Sequence, residues 1–180
     1  MNMKKIKKEN KDFRIFDAIN NEAFPIEERW DLDHALNYEI PADVVGLYDD
    51  DRPIGFYMAL SDDQMVYLCY FAIKKEERSH GYGSRALQMI CNHYERDGKQ
   101  VCIDLEKQDP QAENAIQRKV RKQFYLRNGF YETGYSMNFW QLSFELLCHD
   151  HEFQVENYQK LCERLTTSEI DPHIIKEFAV

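Results

Sequence analysis

The stretch from Met65 to Tyr94 constrains the fold of this chain more than any other. Met65-Val66-Tyr67-Leu68-Cys69-Tyr70-Phe71-Ala72-Ile73 is an unbroken apolar and aromatic run whose length and composition predict a buried strand. Lys74-Lys75-Glu76-Glu77 follows as a charged turn, and then comes Arg78-Ser79-His80-Gly81-Tyr82-Gly83-Ser84. Behind that loop Ala86, Leu87, Ile90, Cys91 and Tyr94 recur at steps of three and four, the period of a helix with one buried face. A strand that feeds a glycine-punctuated loop into a helix N-terminus can hold an anion. First-turn amides have no carbonyl partners, and the helix dipole adds roughly half a positive charge. Gly81 and Gly83 let an anion approach the backbone, and Arg78 offers a forked, permanently charged donor. The plainer reading of the same residues is a turn after a core strand.

Arg78-x-x-Gly81-x-Gly83 after an apolar strand resembles the acetyl-coenzyme A signature of the GNAT superfamily of N-acetyltransferases. The resemblance implies that Arg78, Ser79, His80, Gly81, Tyr82, Gly83 and Ser84 receive the coenzyme pyrophosphate. It further implies that the backbone of Phe71, Ala72 and Ile73 pairs with the pantetheine arm, in a wedge where the Met65 and Val101 strands splay apart. Two other glycine-rich loops fit less well. A dinucleotide fingerprint has Gly-x-Gly-x-x-Gly directly after its strand, whereas Ala86 stands third after Gly83 and a charged turn intervenes; a P-loop needs Gly-Lys-Ser/Thr, and Gly83-Ser84-Arg85 lacks the lysine.

The rest of the chain is consistent with a mixed α/β fold. Val44–Tyr48, Ile54–Leu60 and the Met65 strand, joined by Asp49–Pro53 and Ser61–Asp63, predict an antiparallel meander. Ahead of it lie a basic tail or first strand over Lys4–Asn10, a helix over Phe13–Phe24 capped by Asp12 or Asn10, and a second helix over Glu27–Tyr38 ended by Pro41. After the Tyr82–Tyr94 helix, Val101–Glu106 alternates as a strand, and the intervening helix makes a parallel crossover from the Met65 strand. A third long helix covers Glu113–Arg127, with Ile116, Val120 and Phe124 as its apolar stripe and Asn128-Gly129 at its C-cap. Phe130–Leu147 is an aromatic hairpin turning near Ser136–Gln141, and 151–165 is a terminal helix with Phe153, Tyr158, Leu161 and Leu165 apolar. The resemblance spans roughly residues 12–147. The expected architecture is therefore a GNAT-like fold, a mostly antiparallel sheet flanked by helices, over 1–150, with 151–180 as a helical extension packed on the same domain or extending it.

Composition narrows the partners. In 180 residues, 43% hydrophobic and 31% charged content suits a globular chain with a sizeable core. A formal net charge of −9 argues against nucleic acid, whose phosphates need a positive surface. No run of eighteen apolar residues predicts a membrane span, and the lysine-rich start has no apolar stretch behind it to make a signal peptide. Five scattered cysteines without a Cys-x-x-Cys pair point to a reducing cytoplasm and no structural metal, and His149-Asp150-His151 has no third ligand nearby. The charges are unevenly spread. Residues 22–51 hold ten acids against Arg29, and residues 111–130 hold five bases against Glu113, which either form opposed binding surfaces or are solvated helix faces.

For the chemistry, Phe124-Tyr125-Leu126-Arg127-Asn128-Gly129-Phe130 resembles the family's second signature, whose tyrosine lies near the coenzyme sulfur. A phenol with a pKa of about 10 stays protonated at neutral pH and can protonate a leaving thiolate, so Tyr125 is the expected general acid. Glu106, at a strand end and facing the same way as Asp104, is the expected proton acceptor, directly or through water, if burial raises its pKa from about 4.3. Many family members carry a glutamate at the position Glu106 resembles, and others rely on water alone. Asn114 contacts the pantetheine or the tyrosine loop by resemblance, or simply caps its helix. The first two helices line the acceptor site in the family, which assigns Glu27, Glu28 and Asp31 to a cationic amine. The whole reading is an acetyl-CoA-dependent N-acetyltransferase releasing CoA, needing no metal, acting as monomer or homodimer on a small-molecule or peptide amine. A non-catalytic acyl-CoA sensor or scaffold of the same fold is the alternative.

Overall fold

A computed structural model describes residues 1–26, 29, 31–36, 42–139 and 142–166. The chain forms two compact units, one of residues 1–61 and 68–92, the other of residues 62–67 and 93 onward. The class is the expected one, a mixed α/β fold with helices on a central sheet.

In the first unit, β1 (Asn2–Lys5) pairs antiparallel with β2 (Ala42–Asp49), and β2 with β3 (Arg52–Ser61), from Ala42 opposite Leu60 to Asp49 opposite Arg52. The meander continues into β4 (Met65–Ile73), of which Leu68–Ile73 belongs here. Helix α1 (Phe13–Ala23) lies on the face that Val44, Tyr48, Phe56 and Met58 present at alternate positions. Gly46 completes that face as a hollow: a Cβ there would sit 2.4 Å from the ring tip of Phe16, which is fully buried. Two details differ from expectation. Asp12 stands at the cap of α1 but makes no capping bond; its carboxylate accepts the Tyr48 hydroxyl at 3.3 Å instead. The second helix begins later than expected, at Leu32 (α2, described over Leu32–Leu36), because Asp31 Oδ1 accepts the amides of Asp33 (2.8 Å) and His34 (3.2 Å) and so starts it there. Glu27, Glu28, residue 30 and residues 37–41 lie outside the described residues.

In the second unit, Met65–Tyr67 of β4 runs parallel to Gln100–Cys102 of β5 (Gln100–Glu106), as the crossover by α3 (Tyr82–Glu95) requires. The terminal hairpin is present as β6 (Tyr131–Phe139) and β7 (Leu142–Cys148), and the tip at residues 140–141 lies outside the described residues. Its second strand is the inner one, pairing antiparallel with β5 from Cys102 opposite Cys148 to Glu106 opposite Phe144. Helix α5 (Val155–Thr166) packs Tyr158, Leu161 and Cys162 against Met65, Cys102, Leu146 and Cys148. The tail from residue 167 lies outside the described residues. No disulfide joins the five cysteines, and among the described residues no helix is long and apolar enough to cross a membrane.

Helix α4 (Ala115–Arg127) corrects the sequence reading. Two of the three expected stripe residues face solvent, Ile116 being 81% and Val120 59% exposed, while Phe124 is half-buried and Tyr125 is 8% exposed. Polar groups dock this helix. Asn114, Arg118 and Arg121 reach Glu106 on β5, and Lys122 bridges Glu132 on β6 and Glu145 on β7. Its end is as expected: Gly129 at φ 88 donates to the Leu126 carbonyl, and Phe130 donates to that of Tyr125, both at 3.2 Å.

Candidate active site

The first unit holds the glycine loop. The end of β4 is fastened to β3, where the Lys74 amide donates to the Ile54 carbonyl at 2.8 Å. A Cβ on Gly55 would lie 2.3 Å from the Ala72 carbonyl oxygen, so only glycine lets the two backbones approach this closely. A single 3-10 turn (Lys75–Glu77) then leads to Arg78. Ser79 (φ 65) and Gly81 (φ 80) both turn left-handed, a conformation that costs Ser79 on the order of 1 kcal/mol. The first helical hydrogen bond of α3 runs from the Arg85 amide to the Gly81 carbonyl at 3.1 Å. Gly81 is thus the capping residue, and it has no side-chain oxygen to engage the first-turn amides. The N–H groups of Gly81, Tyr82, Gly83 and Ser84 therefore have no carbonyl one turn back and carry the positive end of the helix dipole.

Arg78 already has partners within the protein. Its Nε donates to the Ile73 carbonyl at 2.8 Å and its Nη2 lies 3.7 Å from Glu22 on α1, so it ties the loop to the strand end before it meets any ligand. His80 is exposed. A second brace was not read from the sequence. The Tyr82 hydroxyl donates to Asp49 Oδ2 at 2.6 Å, Arg52 Nη2 reaches the same oxygen at 3.2 Å, and Arg52 also pairs with Glu77. The loop is thereby held at both ends, at Glu77 and at Tyr82, from the β2–β3 turn. Hydrogen bonding from Tyr82, and secondarily from Arg52, holds the Asp49 carboxyl below its ordinary 3.8, and the same bond raises the Tyr82 phenol. A lowered native pKa means that this contribution is in place above the ordinary aspartate range and is lost as pH falls through the native midpoint. Carbon-detected NMR titration should find the Asp49 midpoint below 3.8 in the parent and higher in Tyr82→Phe. Equal midpoints in the two proteins would remove the tyrosine from the brace.

The second unit holds Glu106, Asn114 and Tyr125. Asn114 occupies the cap position of α4 without capping it; its amide donates to Glu106 Oε2 at 3.1 Å and its carbonyl accepts Arg118 Nε at 2.6 Å. Glu106 also pairs with Arg118 Nη2 at 2.8 Å, and the carboxylate is 11% exposed. It is buried as expected, but in the company of cations. Asp104, the neighbouring acid on β5, accepts the Tyr67 hydroxyl at 2.7 Å. Tyr125 sits edge-on to Phe124 and Phe130, with centroids 5.2 and 5.4 Å away. Arg118 and Arg121 were missed, although Asn114, Arg118 and Arg121 recur at helical spacing and so share a polar face. Burial pushes the Cys148 thiol up to about 12, which leaves no thiolate there at neutral pH for an acyl-cysteine relay.

The acidic stretch is less open to a ligand than its composition implies. Asp33 pairs with Lys8 (2.5 Å), Asp43 with Lys5 (2.8 Å) and Asp51 with Lys4 (3.4 Å), so the basic start of the chain neutralises part of it. Asp49 is engaged by Arg52, and Asp31 starts α2. A depression of about 400 Å³ beside the Arg78–Glu22 pair is lined by Arg14, Ile15, Lys74 and Glu76; its mixed charges converge on no single group, and it does not include the glycine loop.

These halves define a class, the GNAT superfamily fold, in which a glycine-capped helix follows a sheet strand. The chain matches the family model described as acetyltransferase (GNAT) family over residues 8–130 and belongs to that family. Its general activity is that of an acetyl-CoA-dependent acetyltransferase acting on an amine. No curated protein matches the chain. Among solved structures it is similar to a protein from Bacteroides thetaiotaomicron described as a GNAT-family acetyltransferase, at 24% identity and TM-score 0.75, covering 95% of this chain and 100% of that one. It is also similar to an aminoglycoside 6'-N-acetyltransferase complexed with coenzyme A, at 15% identity and TM-score 0.64, covering 86% and 100%. A third is the ribosomal-protein-S18-alanine N-acetyltransferase from Escherichia coli, at 15% identity and TM-score 0.58, covering 82% and 91%. At these identities the likeness shows the fold alone.

Proposed function

We propose that the chain transfers the acetyl group of acetyl-CoA to a primary amine, with the Arg78–Ser84 loop holding the coenzyme pyrophosphate and Tyr125 as proton donor. The observation that carries this reading is the glycine cap of α3, where amides Gly81–Ser84 have no helical acceptor and Gly81 brings no side-chain oxygen to them. Bound acetyl-CoA supplies the acyl group as an activated thioester. Phe71, Ala72 and Ile73 offer the strand end that would take the pantetheine arm. The Tyr125 hydroxyl gives its proton to the departing sulfur and recovers one from solvent, while the amine nitrogen, neutral when it attacks, loses its proton to water. New N–C and broken C–S bonds and one proton moved each way balance the reaction.

The acceptor is a small-molecule or peptide amine; the similar structures include an aminoglycoside enzyme and a protein-alanine enzyme. Its positive charge is assigned to Glu27 and Glu28, which lie outside the described residues, in preference to Asp31, which starts α2. Cytoplasmic location is supported by five cysteines without a disulfide. Packing of α5 in the second unit supports reading 151–180 as an extension of the domain. A panel of cationic, neutral and acidic amines with acetyl-CoA, read as released thiol at low and high salt, tests the reading. Turnover of cationic amines with a KM that salt raises is the expected result. Turnover indifferent to charge and salt would remove the cationic acceptor, and coenzyme binding without any turnover would favour the sensor.

A further inference from the structure

We infer that Glu106 acts as a positioning residue that sets α4, and through it the Tyr125 hydroxyl, and that it is not the proton acceptor; this rests on the reading of Tyr125 as proton donor. Both oxygens of the carboxylate are engaged from α4 and its cap. Oε1 takes Arg118 Nη2 at 2.8 Å, and Oε2 takes the Asn114 amide at 3.1 Å with Arg121 Nη1 at 3.7 Å. Arg118, only 15% exposed, closes the triangle through Nε to Asn114 and is fixed again by Nη1 to the Lys107 carbonyl at 2.8 Å. The charged groups facing Glu106 are thus two guanidiniums from α4, with Lys107 next in sequence, and the residue opposite it on β7 is the uncharged Phe144.

Both oxygens are turned onto α4, and moving either one would cost the nearly buried Arg118 guanidinium or the Asn114 amide its bond to the strand. These contacts suit an anchor. Asn114, Arg118 and Arg121 stand at i, i+4 and i+7, and the next place on that face, one turn on, is Tyr125. Glu106 therefore grips the face of α4 that carries the phenol. The apolar residues Ile116 and Val120 point to solvent and cannot fix the helix rotation in its place.

The test compares Glu106→Gln, Arg118→Met, Arg118→Lys, Tyr125→Phe and the Glu106→Gln/Tyr125→Phe double variant, each checked for folding by thermal melting. An anchor predicts a kcat loss of roughly tenfold in both Glu106→Gln and Arg118→Met, partial rescue in Arg118→Lys, and an acidic limb of the kcat/KM profile that stays where it was. The double variant should be no slower than Tyr125→Phe alone, because the two residues act through one group. An acidic limb that moves or disappears in Glu106→Gln, with Arg118→Met left at parental kcat, would make Glu106 the base and overturn the inference. Amide exchange of residues 118–125 gives a readout independent of activity, and it should quicken in Glu106→Gln. If Tyr125→Phe proves silent, the donor assignment falls while faster exchange upholds the anchor; unchanged exchange overturns the anchor whatever Tyr125 does.

Discussion

Replacing Tyr125 by phenylalanine should lower kcat by about 10²–10⁴ while leaving coenzyme affinity and thermal stability near their parental values. The substitution removes one hydroxyl and keeps the ring. Edge-on contacts with Phe124 and Phe130 persist, and so do the backbone bonds of Asn128 and Phe130 to the Tyr125 carbonyl. The packing role of the residue, 8% exposed, is therefore spared, and the change isolates the proton. Steady-state rates with saturating amine, together with calorimetric binding of CoA, separate the two roles. A kcat within twofold of the parent, accompanied by a lowered melting temperature, would make Tyr125 a packing residue.

Gly83→Asp should weaken acetyl-CoA binding by at least about tenfold, with no loss of fold stability. These two effects have opposite signs for one reason. An acidic residue in the first turn of α3 interacts favourably with the helix dipole, which helps the fold, but it places negative charge where the pyrophosphate is proposed to sit. Calorimetric titration beside a thermal melt reads both. Parental affinity in a well-folded Gly83→Asp protein would take the pyrophosphate off this loop.

Much of this architecture was legible because local chemistry and tertiary structure agree. The Met65–Ile73 strand, the helix from Tyr82 and the Gly129 cap stand where apolar runs and glycines put them. The errors share a cause: residue type says nothing about which partner a side chain will find. Ile116, Val120 and Phe124 have helical spacing, yet the docking face of α4 is the polar one, because Glu106, Glu132 and Glu145 arrive from strands up to 23 residues from their partners. The acids of 22–51 form a block in sequence, but Lys4, Lys5 and Lys8 return to them across the β1–β2 pairing. Helical periodicity on the polar side of α4 was the one signal available for the Arg118 cluster. The brace of Arg52, Asp49 and Tyr82 left none, since its members stand up to 33 residues apart.

Gly129 carries no functional group, yet the shape of its surroundings ties it to the reaction proposed for Tyr125. At φ 88 it closes the last turn of α4, and a Cβ added to it would lie 2.8 Å from His149 Nε2. Any other residue there is both strained and obstructed, and the turn that yields first is the one whose carbonyl belongs to Tyr125. A saturation mutagenesis screen scored on turnover would therefore rank position 129 alongside the proton donor itself. The screen would be reporting a hinge pin, and a list of reactive side chains would never contain it.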